Sequence, residues 1–169
     1  MPQTVALSLS IAVLGAIWTF VALLAPGFLS VWAAFLAWAC FFHTGGDDPA
    51  LRKTIVGNIF GIIIAWIVLL ILANVPVSIP GLPSLWPAVV VGVGLFVLVV
   101  VSGWEQLPVF PAHVYGYAAV VAHTGLSLDN LLVFSFANPG ILLIVSMVIG
   151  ALLGWVSQRV ATQMTKQAA

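Results

Sequence analysis

Residues 54–74 read TIVGNIFGIIIAWIVLLILAN, an uncharged run that opens directly after Arg52 and Lys53 and closes at Asn74. A helix needs about 20 predominantly apolar residues to cross a hydrocarbon core about 30 Å thick. This run has that length and is apolar on every side. A transmembrane strand, which alternates polar and apolar residues over ~10 positions, is therefore excluded. Within the run Gly57, Gly61 and Ala65 recur at every fourth residue, followed by Trp66. That spacing puts small side chains on one helix face, where another helix can approach closely.

The same character extends in both directions. The chain has 169 residues, of which four are Lys or Arg and four Asp or Glu; 63% are hydrophobic and 5% charged. Soluble domains carry roughly 25% charged residues. So little polar surface excludes an ordinary cytosolic enzyme and a disordered chain, and the lack of a basic patch excludes a nucleic-acid binder. Cys40, the single cysteine, lies in an apolar run, which excludes a disulfide-stapled module. No charge precedes Asp47, and none falls between Lys53 and Glu105, so breaks must come from Pro, Gly and Asn. They divide the chain into spans Thr4–Leu24, Gly27–His43, Thr54–Asn74, Leu85–Gly103, Gln106–His123 and Asn138–Gln158. The expected class is an all-α polytopic membrane protein with six transmembrane helices in a single domain, residues 1–169, solvated by the lipid bilayer. The connection from Thr124 to Ala137 carries Leu126, Leu128, Leu131, Leu132, Phe134 and Phe136, and reads as a segment lying in or dipping into the membrane interface.

Met1-Pro2-Gln3-Thr4 has no positive residue and no small-x-small cleavage site follows, so the first span reads as a retained helix. Arg52 and Lys53 lie between spans two and three, and Arg159 and Lys166 follow span six. Six spans put all four on one face, cytoplasmic by the positive-inside rule, with both termini beside them.

The halves share an order of features. An offset of 80 residues sets His43-Thr44-Gly45 on His123-Thr124-Gly125, and Ser8 and Ala12 on Ala88 and Gly92. An offset of 89 sets Gly57, Gly61, Ala65 and Trp66 on Ser146, Gly150, Gly154 and Trp155. The expected architecture is a 3+3 inverted repeat, the first unit about 4–74, the second about 85–158, with a tail 159–169. An odd number of spans per unit turns one unit upside down relative to the other, and in transporters such repeats place the site near the midplane, often on short or broken segments. Spans two and five are short and rich in aromatic residues. Pro108 and Pro111 near the start of span five would release backbone carbonyls.

His113 is the one ionisable side chain well inside a span, followed by Tyr115, Gly116 and Tyr117. Ionisable groups at that depth usually face a bundle interior or watery cavity, and a neutral imidazole both donates and accepts. The plainer reading is a buried histidine bonded to a carbonyl or to Tyr117. For His43 and His123, flanking Gly and Thr favour a cap or turn, the other reading being vestibule residues at opposite mouths. Asn58 falls in the first turn of span three, where capping is its simplest role, as it is for Asn138 at span six. No metal-ligand spacing, cofactor motif or nucleophile–base pair stands out, so no catalytic residue, metal or cofactor is expected. Asp47, Asp48, Glu105 and Asp129 all fall in connections, which argues against ion-coupled pumping. Trp18, Trp32, Trp38 and Trp66 are too many for interface belts alone, so several should line helix contacts or a lumen.

Gly15-Ala16-Ile17-Trp18, Pro26-Gly27, Ser30-Val31-Trp32-Ala33-Ala34-Phe35-Leu36 and Phe41-Phe42-His43-Thr44-Gly45-Gly46 resemble small bacterial inner-membrane proteins of the family catalogued as domain of unknown function 1097. So does Pro111-Ala112-His113-Val114-Tyr115-Gly116 with His123-Thr124-Gly125. The resemblance spans nearly the whole chain, though its motifs are apolar and the tail has few of the basic residues frequent there in the family. It implies a bacterial inner-membrane location and about six spans, and no catalytic or binding residues.

The residues thus lead to a channel or facilitator for a small, mostly uncharged solute, not an enzyme. Its path would run between spans two and five, lined by His113, Tyr115, Tyr117, Trp38 and Asn58, with His43 and His123 at the mouths. The rival is a structural or accessory subunit that packs on a membrane-protein partner through its small-residue faces. Homo-oligomers are expected in either case.

Overall fold

The computed structural model describes residues 1–166, and among these the regular structure is all helical, with no strand. Six helices follow in order: α1 (Gln3–Leu24), α2 (Val31–His43), α3 (Asp48–Asn74), α4 (Leu85–Val101), α5 (Phe110–Thr124) and α6 (Pro139–Lys166). Three of them, α1, α3 and α6, are long and apolar enough to cross a membrane, and α2 and α4 are shorter apolar helices. At 1.5 Å per residue, the 13 residues of α2 rise only about 20 Å and the 15 of α5 about 22 Å.

The boundaries differ from the expected spans where capping chemistry overrides hydropathy. α3 starts at Asp48, not Thr54, because the Asp47 carboxylate accepts from Ala50 N–H at 2.8 Å and Pro49 occupies the first turn. Asn58 is therefore no cap: it lies deep in α3, 1% exposed. Asn138 does open α6, accepting from Gly140 N–H at 2.8 Å while its amide donates to the Leu131 carbonyl. Span two begins as helix only at Val31, and α6 runs on through the expected tail to Lys166. α5 begins at Phe110, so Pro111 sits in a first turn, where an N–H has no intrahelical partner in any case. The expectation that Pro108 and Pro111 release backbone carbonyls within this span is corrected accordingly, since Pro108 precedes the helix and Pro111 lies in its first turn.

Glycines decide how the helices pack. A Cβ on Gly61 of α3 would collide with the His113 carbonyl of α5, and one on Gly116 of α5 with the Asn58 carbonyl of α3. Likewise a Cβ on Gly150 of α6 would collide with the Ala34 carbonyl of α2. Both pairs run parallel. Gly57 meets Ala112 and Gly61 meets His113 and Tyr117, while Gly150 meets Ala34 and Gly154 meets Trp38 and Phe41. α4 lies antiparallel on α5, with Tyr117 donating to the Val91 carbonyl and the His113 ring bonded to the Leu98 carbonyl. α1 packs on α6, where the Ser10 hydroxyl donates to the Ser157 carbonyl at 2.9 Å. α3 also touches α6, and α2 touches α5. The outward faces of α1 (Val13, Ile17, Phe20) and α4 (Val93, Phe96, Val100) remain exposed.

Candidate functional site

The α3–α5 seam gathers three of the residues singled out by sequence. Thr54, Gly57, Asn58 and Gly61 share one face of α3, since positions three and four apart in a helix are neighbours. Against that face α5 lays Ala112, His113, Gly116 and Tyr117. Without side chains at Gly61 and Gly116 the two backbones come into direct contact, and Asn58 and His113 are sealed from solvent at 1% and 0% exposure. The His113 ring packs edge-on to Phe60, centroids 5.1 Å apart, and its Nδ1 lies 3.0 Å from the Leu98 carbonyl oxygen. The Tyr117 hydroxyl is spent on the Val91 carbonyl of α4 at 3.1 Å, so it does not hold the histidine.

What the seam leaves unpaired is its main chemical feature. Asn58 Nδ2, Asn58 Oδ1 and His113 Nε2 are buried without a hydrogen-bond partner, whereas one turn earlier on α3 the Thr54 hydroxyl lies beside the Cys40 thiol of α2. A buried polar atom left unsatisfied costs about 1–3 kcal/mol, and most buried polar atoms in proteins are paired. Asn58 and His113 are thus the groups of this seam whose hydrogen-bonding capacity the chain leaves unmet. On the α2–α6 seam the positions that correspond to His113 and Asn58 are apolar, although Ser30 Oγ is buried without a partner where the Ser30 N–H donates to Ser146 Oγ. There Ala34 holds the position of His113 against the glycine, and Met147 stands 89 residues from Asn58, the spacing that separates Gly61 from Gly150.

The remaining candidates lie elsewhere. Trp38 is buried on α6, donating to Ser157 Oγ at 3.1 Å, and Tyr115 on α5 meets the exposed His43 edge-on at 6.1 Å. His123 lines a cavity of about 170 Å³ with Ser127, Asp129 and Asn130 at the opposite end of the molecule. Of the tryptophans, Trp18 donates to the Val31 carbonyl at the start of α2 and Trp66 to the Leu131 carbonyl of the α5–α6 connection, whereas Trp32 is exposed. Thr54, Gly116 and Leu98 had no place among the expected site residues. The signal for the first was available, since Thr54 precedes Asn58 by one helical turn on the face carrying the glycines.

A second polar cluster sits where α6 passes the start of α3. Arg159 grips both carboxylate oxygens of Asp48 at 2.8 and 2.9 Å and stacks on Trp155, whose indole N–H donates to the same carboxylate at 2.7 Å. Asp48 lies ahead of the apolar run of α3. The Arg159 hydrogen bonds, reinforced by Trp155, hold its carboxyl below the ordinary carboxylate range. A cavity of about 360 Å³ opens beside it, lined by Asp47, Gln158 and Lys166 among others. A separate cavity of about 250 Å³ near Trp66 and Asn138 is almost wholly apolar. Neither cavity reaches Thr54, Asn58 or His113. Among the described residues no group of three potential metal ligands comes together.

A family model described as a protein of unknown function (DUF1097) matches residues 8–162. The chain belongs to that family. No curated protein and no solved structure matches it. The family match covers the entire α3–α5 seam and both polar clusters, in keeping with the resemblance carried by the Trp32 and His113 stretches. It brings no chemistry with it, so the function rests on the seam's own residues.

Proposed function

We propose that this DUF1097 protein is a six-span facilitator of the bacterial inner membrane for a small, uncharged, hydrogen-bonding solute, held between α3 and α5 at Asn58 and His113. Two three-helix units, α1–α3 and α4–α6, are mutually flipped in this reading, and both termini are cytoplasmic. The packing supports the flip. Exchanging α1 with α4, α2 with α5 and α3 with α6 turns the α3–α5 seam into the α2–α6 seam and the α1–α6 contact into the α3–α4 contact. Trp66 of α3 donates to the connection that precedes α6, and Trp155 of α6 donates to the aspartate that opens α3. The parallel course of α3 with α5 and of α2 with α6 is what six alternating crossings require.

One observation carries the functional reading: the orphaned side-chain atoms of Asn58 and His113, fully buried at the contact of the two units. Groups that this chain cannot satisfy are satisfied by something that enters. The cavities described above do not reach them, so in this reading the solute is small and the site closed over it, and passage requires the seam to open alternately toward each side, as flipped repeats do when they rock about a central site. The test is stopped-flow uptake by proteoliposomes over a panel of small neutral solutes. Faster uptake than in empty liposomes, lost in Asn58→Leu, is expected. No excess uptake of any solute overturns the reading, and a stoichiometric membrane partner in mild detergent then favours the accessory subunit.

A further inference from the structure

The hydrogen bond at His113 assigns the solute's polarity, and this inference rests on the facilitator reading above. Nδ1 lies 3.0 Å from the Leu98 carbonyl oxygen, and a carbonyl only accepts. Nδ1 must therefore carry the proton. In the neutral ring that leaves Nε2 a bare acceptor, and Nε2 is the buried nitrogen without a partner. The tautomer is fixed from outside the seam, by a backbone atom of α4 that no side-chain rotation can convert into a donor. Around it the ring has little freedom, since Phe60 closes one side, a Gly57 Cβ would stand 3.3 Å from His113 Cδ2, and the ring has no exposure at all.

Asn58 lies on the facing helix of the same seam. Its free amide offers two N–H donors and its free oxygen accepts. With the neutral ring the seam thus presents an acceptor, His113 Nε2, and on the facing helix an amide that can give and take. We infer that the site selects a small neutral molecule carrying at least one N–H or O–H donor together with a carbonyl-like acceptor, an amide- or urea-type solute, and rejects solutes that can only accept. The reason is the asymmetry of buried polar groups. A site built to receive a hydrogen bond is left unpaired by an acceptor-only analogue, and such sites discriminate far more strongly than apolar pockets do. No acidic or basic side chain other than the histidine itself lies among the residues named on this seam, so a formal charge on the solute would find no counter-ion there.

The experiment uses the full chain in lipid bilayers with ¹⁵N-labelled histidine, the His113 signals being assigned through His113→Gln. Nε2 is expected to show the unprotonated signature, to shift on addition of urea or acetamide, and to stay unmoved by acetone. A protonated Nε2 with bare Nδ1, an equal response to acetone, or no response to any of the three (water as sole occupant) overturns the inference. Flux separates it from the reading on which it rests. Urea or acetamide uptake reduced about tenfold in His113→Phe, the cost of one lost hydrogen bond, supports both. Uptake of all three solutes unaffected by His113→Phe removes the donor requirement while leaving a facilitator. A donor-specific shift at Nε2 with no uptake by the native chain keeps the binding site and removes transport. If His113→Phe does not fold, the signature of the native ring still decides.

Discussion

The backbone of Gly61 lies directly against the carbonyl of His113, with no room for a side chain between them. That contact joins the small-residue face of α3 to the single buried imidazole, so the residue type that permits close packing also seals the polar site. Gly116 repeats the relationship from the other helix, its backbone against the Asn58 carbonyl. Close approach of two backbones gains dispersion contacts that lipid chains do not match. It also brings the peptide groups flanking the orphaned atoms into direct contact.

Gly61→Ala and Gly150→Ala should each destabilise the protein, by about 1–3 kcal/mol, since an inserted methyl meets backbone rather than a movable side chain. Gly92→Ala is the control. A Cβ there meets nothing within 4 Å, so the change should be neutral or should stabilise α4 by about 0.5–1 kcal/mol through helix propensity. Thermal unfolding in one detergent ranks the three. Equal losses at Gly61 and Gly150 are also what two equivalent seams require, and a harmless Gly150→Ala would break the equivalence.

Asn58→Leu should raise stability while abolishing uptake. Leucine has a similar volume and removes two buried polar atoms that the chain leaves unsatisfied, each costing about 1–3 kcal/mol when nothing enters to meet it. A higher unfolding temperature together with loss of flux is the expected pair of results. A lower unfolding temperature would mean that Asn58 is satisfied within the fold, and its functional assignment would fall.

Much of this was legible in sequence. The uncharged run at 54–74, the breaks at Pro26-Gly27 and Gly45-Gly46, and the Gly57, Gly61, Ala65 ladder all led to helices that the structure contains. The depth of His113 was legible too, because no Asp, Glu, Lys or Arg falls between Glu105 and Asp129. Asn58 was misplaced because hydropathy marks where charge stops, whereas a helix starts where its first N–H groups find an acceptor. Here that is Asp47, with Pro49 behind it. The seam itself was not legible. Gly61 and Gly116 are close-approach positions only once α3 and α5 are known to be partners, and sequence spacing within one helix does not name the helix opposite. The matching His-Thr-Gly triplets also mislead by one position. α2 ends at His43, with Thr44 as its cap, whereas α5 includes Thr124 and is capped by Gly125 in the left-handed region at φ 56°.

Trp66→Phe and Trp155→Phe test whether the two connections are held alike. Each substitution keeps an aromatic ring and deletes one indole hydrogen bond, to the Leu131 carbonyl in one case and to the Asp48 carboxylate in the other. A lost hydrogen bond of this kind costs about 0.5–1.5 kcal/mol, and more where the acceptor is charged. Trp155 donates to an exposed carboxylate that keeps Arg159 as a partner, which discounts the charged case through solvent screening. Trp66→Phe leaves the Leu131 carbonyl with the Asn138 amide as its remaining donor, but in a buried place where water does not screen the loss. Hydrogen exchange should therefore quicken in the 125–138 connection of Trp66→Phe more than at the start of α3 in Trp155→Phe. The reverse order would show that the α3 end depends on the indole more than on Arg159.

The Asp48 cluster should respond to acid in one direction only. Its carboxyl is held below the ordinary carboxylate range by the Arg159 hydrogen bonds and by Trp155. A carboxylate whose folded value lies below its unfolded value contributes in full above the unfolded value, and loses that contribution as pH falls through the folded one. The Trp155 indole and Arg159 guanidinium resonances should thus stay constant from neutral pH down through the ordinary carboxylate range and move together only below it. The pair is exposed, 54% at Arg159 and 68% at Asp48, so the effect is a local loosening of the α2–α3 connection rather than unfolding, and added salt should weaken it. Asp48→Asn should abolish the acid response at both resonances. A titration of Trp155 that survives Asp48→Asn would assign the response to another carboxylate at that end, of which Asp47, the cap of α3, lines the same cavity.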